Sequence, residues 1–229
     1  MPARAVVLPG TSLLVPGAGG GADRLGDVRR VVDAALDRLV AAAVAASSAD
    51  GGRDAPLVVL APVPRGAAGG FGLRRPSLAG AGVVDRWVPD VVAWPRAHGA
   101  LVPAAHLPAS VALVALRGAL LRAGVDASPF AVLEVSDAVE PPADGVAALS
   151  RAAAVVVAGG APPGTPGAAA VPDPAPGDRA ADPVLLAPAV SALLGAAVAP
   201  GRWSWRVTTV PGGHEHLPAS YGVAEGVAG

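Results

Sequence analysis

The chain has 229 residues, of which 52% are hydrophobic and 3% aromatic, and its formal net charge is −1. This length accommodates one sizeable core and is short for two ordinary domains. A charge so close to zero gives no electrostatic reason to bind nucleic acid or an anionic membrane, and the absence of cysteine excludes disulfides and thiolate ligands. We therefore predict a single domain spanning residues 1–229, in the cytoplasm, with neither nucleic acid nor membrane as a partner. The sequence leaves the oligomeric state open.

In the first half of the chain, short apolar runs alternate with an amphipathic segment and loops. Residues 3–8 and 57–61 are rich in valine and leucine, which predicts two buried strands. Between them, apolar residues recur every three or four positions over residues 23–46, the pattern of one helix face. Residues 63–82 are predicted to form a long loop rich in Gly, Pro and Arg. A second helix is predicted from Pro108 to just before Gly124, because proline favours the first turn and glycine the position past the end.

The second half continues the alternation. Strands are predicted at residues 130–135, 153–158, 203–210 and 222–228, and helices at 144–151 and 184–198. Residues 159–180, rich in Pro, Gly and Ala, are predicted to be a flexible loop. Trp203 and Trp205 lie on one face of their strand, which favours core packing. Buried strands separated by helices predict an α/β fold with a mostly parallel central sheet covered by helices on both faces.

Sheets of this kind bind ligands where the strands end at their carboxyl edge. The loops that follow the first strand and the 153–158 strand are therefore the places to look for a pocket. We expect Gly10, Thr11 and Ser12 to line it on one side and Gly159 and Gly160 on the other.

The segment His214-Glu215-His216 is the best cluster of metal-competent side chains. Two imidazoles and one carboxylate suit Fe(II) or Zn(II). On a strand, however, the two histidines would point to one face and Glu215 to the other. A curled loop after Pro-Gly-Gly would bring all three to one ion, whereas a solvated turn between two strands would leave them apart, and both interpretations remain open.

Other polar residues give weaker signals. His98 and His106 flank an apolar segment, a setting more typical of half-buried histidines than of ligands. Glu134 and Asp137 lie at the end of a predicted buried strand, where a carboxylate can act as a base or, for Asp137, cap a turn. Residues 17–22 fit a G-x-G-x-x-G/A pattern ahead of a helix, which favours nucleotide binding as a further alternative. The chain contains no lysine, so it has no P-loop.

Three stretches together resemble one known family. They are AVVLPGTSLLVP at residues 5–16, LPASVAL at 107–113 with two leucines at 120–121, and ASYGVA at 219–224. Their order and approximate spacing are similar to those of proteins of the class III extradiol ring-cleavage dioxygenase superfamily from high-GC bacteria. The resemblance implies an α/β fold. In active members it also implies Fe(II) held by two His and a Glu, with O2 opening a catechol ring and a further His as acid/base.

This chain departs from the family pattern at the implied ligand positions. The resemblance places one histidine after each of the first two strands, but residues 9–12 read PGTS and residues 61–64 read APVP. Where relatives carry a Gly-Asp-Gly-Ser loop, residues 159–162 read GGAP. We therefore predict a divergent, non-catalytic member without a cofactor, which binds a small molecule or a protein partner in the pocket. The alternative is an Fe- or Zn-dependent oxidoreductase, such as a ring-cleavage dioxygenase on aromatic substrates, that uses His214, Glu215 or His216.

Overall fold

The computed structural model describes residues 4–19, 23–49, 57–94, 102–125, 130–160, 169–170, 185–197, 203–213 and 216–228. Its strands are β1 (Arg4–Pro9), β2 (Leu57–Pro62), β3 (Gly70–Leu73), β4 (Ala131–Val135), β5 (Ala154–Gly160), β6 (Ala169–Ala170), β7 (Leu185–Leu186), β8 (Trp203–Pro211) and β9 (Ser220–Ala228). Its α-helices are α1 (Gly26–Ala49), α2 (Pro89–Val92), α3 (Leu107–Arg122), α4 (Ala143–Ser150) and α5 (Pro188–Ala197).

Seven of the strands form one sheet in the order β3-β4-β2-β5-β1-β9-β8. The four central strands, β4, β2, β5 and β1, are parallel to one another. The outer strands are antiparallel, since β3 pairs with β4, β9 with β1, and β8 with β9. The α/β class is confirmed, but the sheet is mixed, and "mostly parallel" is right only for its centre. A short connection such as the one between β8 and β9 forces antiparallel pairing, because parallel pairing needs a long crossover.

Helices cover both faces of the sheet, as predicted. On what we call the first face, Val6, Leu8 and Val59 belong to the same buried cluster as Leu36 of α1 and Leu113 of α3. Alternate residues of the same strands point the other way. They join a second buried cluster with helices α4 and α5, whose members include Val7, Leu60, Leu149, Val190 and Leu194. The four central strands are therefore dry on both sides, which explains their continuous Val/Leu runs.

The ends of the two longest helices follow local signals. Helix α3 has Pro108 in its first turn, and Gly124 just past its end has a φ of 67°, so the predicted limits are confirmed. Helix α1 begins at Gly26, slightly later than predicted, and extends to Ala49. Arg122 of α3 ties the two helices together through ion pairs of 3.0 and 2.9 Å to Asp33 and Asp37. None of the helices in the described ranges combines the length and apolar character that a bilayer span requires.

Several boundaries differ from the sequence prediction. Strand β3 lies inside the predicted 63–82 loop, where its sequence GFGL has too few apolar residues to signal a strand. Strand β5 extends through Gly159 and Gly160, although their composition predicts a loop. Within the predicted flexible segment 159–180, residues 161–168 and 171–180 lie outside the described residues, but β6 pairs with β7. The last helix therefore begins at Pro188 and not at residue 184.

Trp203 and Trp205 are packed into the core, as predicted. They are 3% and 4% exposed and belong to the buried cluster on the second face. Their rings are stacked, with centroids 5.1 Å apart. Gly226, opposite Trp205 in strand β9, leaves the space that this ring fills.

Candidate functional site

A crevice of about 420 Å³ opens where β1, β2 and β5 end at the carboxyl edge of the sheet. Pro9 and Gly10 line it from β1, Pro62 from β2, and Gly159 from β5. Pro108, in the first turn of α3, also lines it. The volume lies within the range of small-molecule sites.

The topology explains why a crevice forms at this place. The chain leaves β1 and β2 toward helices α1 and α3 on the first face, whereas it leaves β5 toward α5 on the second face. Strand β5 lies between β1 and β2, so the connections diverge around its end. Such a switch point in an open α/β sheet is where ligands usually bind.

Two glycines allow the backbone segments to meet there. A Cβ atom on Gly10 would lie 2.9 Å from the Cα atom of Gly159, closer than real contacts allow. Gly159 itself has a φ of +87°, and its Cβ would lie 3.0 Å from the Pro62 ring. Both positions need glycine because a side chain would clash or strain the backbone.

The predicted pocket residues end up in different places. Gly10, Thr11 and Gly159 line the crevice. Thr11 also caps the short 3-10 turn Ser12–Leu14, its hydroxyl accepting a hydrogen bond from the Leu13 N–H at 3.3 Å. Ser12 lies within that turn, and Gly160 is paired with Pro9 at the end of β5.

The hairpin between β8 and β9 supplies the opposite wall. Leu217, Pro218 and Tyr221 line the crevice from this side. Tyr221 is 4% exposed, and burial raises the pKa of its phenol above the ordinary value of 10.0. The phenol is therefore protonated at neutral pH and is able to donate a hydrogen bond.

The metal-binding prediction falls largely outside the described structure. His214 and Glu215 are not among the described residues, and His216 is exposed beside the crevice-lining Leu217. Within the described ranges, no group of three or more His, Asp or Glu side chains is arranged to hold a metal ion. The nucleotide-binding pattern is described only in part, with Gly17 in a turn at a φ of 84° and residues 20–22 outside the described ranges.

A buried cluster of charged and polar side chains lies near the crevice, and sequence reasoning did not assemble it. Glu134 on β4 is 2% exposed. Its Oε1 atom accepts hydrogen bonds from the backbone N–H of His106 at 2.7 Å and from the His106 ring nitrogen Nδ1 at 3.1 Å. Its Oε2 atom accepts one from Arg74 Nε at 3.3 Å. The available signal was a lone carboxylate in an apolar strand, because a buried carboxylate needs partners.

The other carboxylate at the end of β4 has a structural contact. Asp137 Oδ1 accepts a hydrogen bond from the backbone N–H of Ala189 at 3.0 Å. Ala189 lies in the first turn of α5, where a backbone N–H lacks an intrahelical acceptor. Asp137 therefore caps a helix that begins about fifty residues later in the chain, and not the turn that follows it. His98 lies outside the described residues.

Comparisons with known proteins assign no family to the chain. No protein-family model matches it, nor does any curated protein or any solved structure. The resemblance to the class III extradiol ring-cleavage dioxygenase superfamily thus remains an expectation based on three short motifs. The functional interpretation depends on that resemblance and on the geometry of the crevice.

Proposed function

We propose that this chain is a cytoplasmic, divergent member of the class III extradiol ring-cleavage dioxygenase superfamily that binds a small molecule without cleaving it. The observation that supports binding is the crevice at the switch point, which combines a suitable volume with a fixed backbone frame. Its position is the one that α/β sheets commonly use for ligands.

The walls indicate the chemistry of the ligand. Pro9, Pro62 and Leu217 present apolar surfaces, which suit the faces and edges of a small ring. Thr11 and Tyr221 add two hydroxyl groups at the same crevice. A small aromatic compound with one or two polar substituents fits this combination better than a charged metabolite does.

The proposal separates this chain from ring-cleaving relatives on the basis of its side chains. An Fe(II) centre with open positions for catecholate and O2 needs imidazole ligands that converge on it. The segments that follow β1 and β2, residues 10–12 and 63–64, contain none. Binding of the aromatic ring is retained in this proposal, whereas the usual iron site is lost.

Ligand titrations with phenol and catechol, followed by NMR shifts of the protein and by the melting temperature, test the proposal. We expect saturable binding and a raised melting temperature, because a ligand that binds only the native state stabilises it. Leu217→Trp should fill the crevice and abolish both effects. Leu121→Trp is the matched control, since Leu121 is 58% exposed on the surface of α3 and distant in sequence from every crevice residue.

Two results would contradict the proposal. One is that neither phenol nor catechol shifts any signal at millimolar concentration. The other is that Leu217→Trp binds the ligands as well as Leu121→Trp does, which would place the binding elsewhere.

A metal-dependent activity is the second candidate. The observation that favours it is the position of His216, directly before the crevice-lining Leu217. Elemental analysis of protein purified without chelator should then find about one Fe or Zn per chain, lost in a His214→Ala, His216→Ala double variant, and catechol with Fe(II) should produce O2 uptake. Metal-free protein with no O2 uptake would eliminate this candidate.

A further inference from the structure

The cluster of Glu134, His106 and Arg74 is linked to the crevice through its neighbours in the chain. Glu134 is paired in register with Ala61 of β2, and the next residue, Pro62, is a crevice wall. His106 immediately precedes α3, whose first turn contributes Pro108 to the same crevice. The imidazole therefore lies at the carboxyl edge of the sheet, on the side of the crevice nearest β4.

The contacts of Glu134 determine which ring nitrogen of His106 carries the proton. A carboxylate within 3.1 Å of Nδ1 favours the tautomer in which Nδ1–H donates to it. Arg74 balances the charge of Glu134, so the cluster is neutral with a neutral imidazole. In this tautomer Nε2 presents its lone pair as an acceptor.

Nε2 is also available to a ligand. The side chain of His106 is 33% exposed. Among the residues that the structure describes, none donates a hydrogen bond to Nε2. A partly exposed acceptor held in one orientation by a buried carboxylate is well suited to recognise a donor group.

A purely structural role for Glu134 explains only part of this geometry. By accepting the His106 backbone N–H at 2.7 Å, Glu134 satisfies a donor at the start of α3 and places a negative charge at the helix N-terminus. That role would be served with any side chain at position 106 that leaves the backbone N–H in place. The second contact, to Nδ1, concerns the imidazole itself.

We propose that His106 Nε2 accepts a hydrogen bond from a hydroxyl group of the crevice ligand. The inference rests on the proposed function, and it narrows the ligand class to phenols and similar ring compounds that carry a donor. A ring ether of the same shape lacks that donor, so it leaves Nε2 unpaired in a partly buried site.

Phenol and anisole, its methyl ether, are the probes for the test. Their affinities are compared by NMR titration of the wild type, His106→Phe and Leu217→Trp. The wild type should prefer phenol about tenfold, which corresponds to about 1.4 kcal/mol, within the range of one hydrogen bond. His106→Phe should bind both compounds with the affinity that the wild type has for anisole, and Leu217→Trp should bind neither.

A second measurement needs no variant. Nitrogen-15 NMR of the ring nitrogens at slightly alkaline pH, with His106 assigned by backbone connectivity, should show a protonated Nδ1 and an unprotonated Nε2. Equal affinity of the wild type for phenol and anisole, a preserved preference in His106→Phe, or a proton on Nε2 would each overturn the inference. Failure of the proposed function is distinguishable, because then neither compound binds or Leu217→Trp still binds them.

Discussion

Replacing Glu134 by glutamine removes the negative charge at the centre of the buried cluster while retaining the shape of the side chain. The glutamine carbonyl can still accept from the His106 backbone N–H, which lies 2.7 Å from Oε1 in the wild type. The amide NH2 would then face Arg74 Nε, where the carboxylate oxygen accepts at 3.3 Å. Two donors would meet, and the guanidinium would lose its counterion.

The geometry sets the size of the expected effect. Breaking a buried ion pair by removing one partner costs about 3–5 kcal/mol. The Arg74 side chain is 17% exposed, and it also donates a hydrogen bond to the Leu73 carbonyl, so part of its solvation is retained. We therefore expect Glu134→Gln to lower the free energy of unfolding by about 2–4 kcal/mol, near the lower part of that range. For a chain of this size, the melting temperature should fall by roughly 6–12 °C.

Urea unfolding followed by tryptophan fluorescence measures this change, and Glu140→Gln is the matched control. Glu140 is an exposed carboxylate in the loop after β4, so its replacement should alter stability by less than about 0.5 kcal/mol. If Glu134→Gln were as stable as Glu140→Gln, the cluster would not be held by the charge of Glu134, and our reasoning would be wrong.

Two further predictions concern Tyr221 and the packing around Trp205. Tyr221 is the only tyrosine, and since its folded pKa is raised above 10.0 by burial, the unfolded state loses its proton first; stability should be unaffected below that pH and decrease as the pH rises above it. Tyrosinate absorbance should show the delayed ionisation, and in Tyr221→Phe this contribution to the alkaline loss of stability should disappear; ionisation at an ordinary pKa in the native protein would contradict the prediction. Gly226→Ala should destabilise by about 1–3 kcal/mol, because its Cβ would lie 2.5 Å from the Trp205 ring, whereas Gly195→Ala in α5, with nothing within 4 Å, should stabilise by about 0.5–1 kcal/mol. Calorimetric melting of both variants checks the opposite signs, and a stable Gly226→Ala would show that the ring yields easily.

Several features of the fold could be predicted because their causes are local. The valine and leucine runs of β1, β2, β4 and β5 are continuous because each strand is buried on both faces. The limits of α3 follow from Pro108 and Gly124, whose backbone preferences act within a single turn. The position of the crevice was also predictable in outline, since Gly10, Thr11 and Gly159 follow or end parallel strands.

Other features depend on residues that are distant in the chain. The antiparallel edge strand β3 was missed because GFGL gains its strand conformation from pairing with β4. Glu134 was recognised as a candidate base, but its partners Arg74 and His106 lie 60 and 28 residues away. No spacing rule connects such positions.

The sequence by itself determined the alternation of strands and helices, the burial of the central strands and the loops that border the crevice. The tertiary structure decided the mixed direction of the sheet, the capping of α5 by Asp137 and the pairing of His106 with Glu134. The physical reason is that backbone geometry repeats every two or 3.6 residues and therefore leaves a periodic trace in the sequence. Contacts between distant segments arise only when the packed sheet brings their ends to one edge, and they leave no such trace.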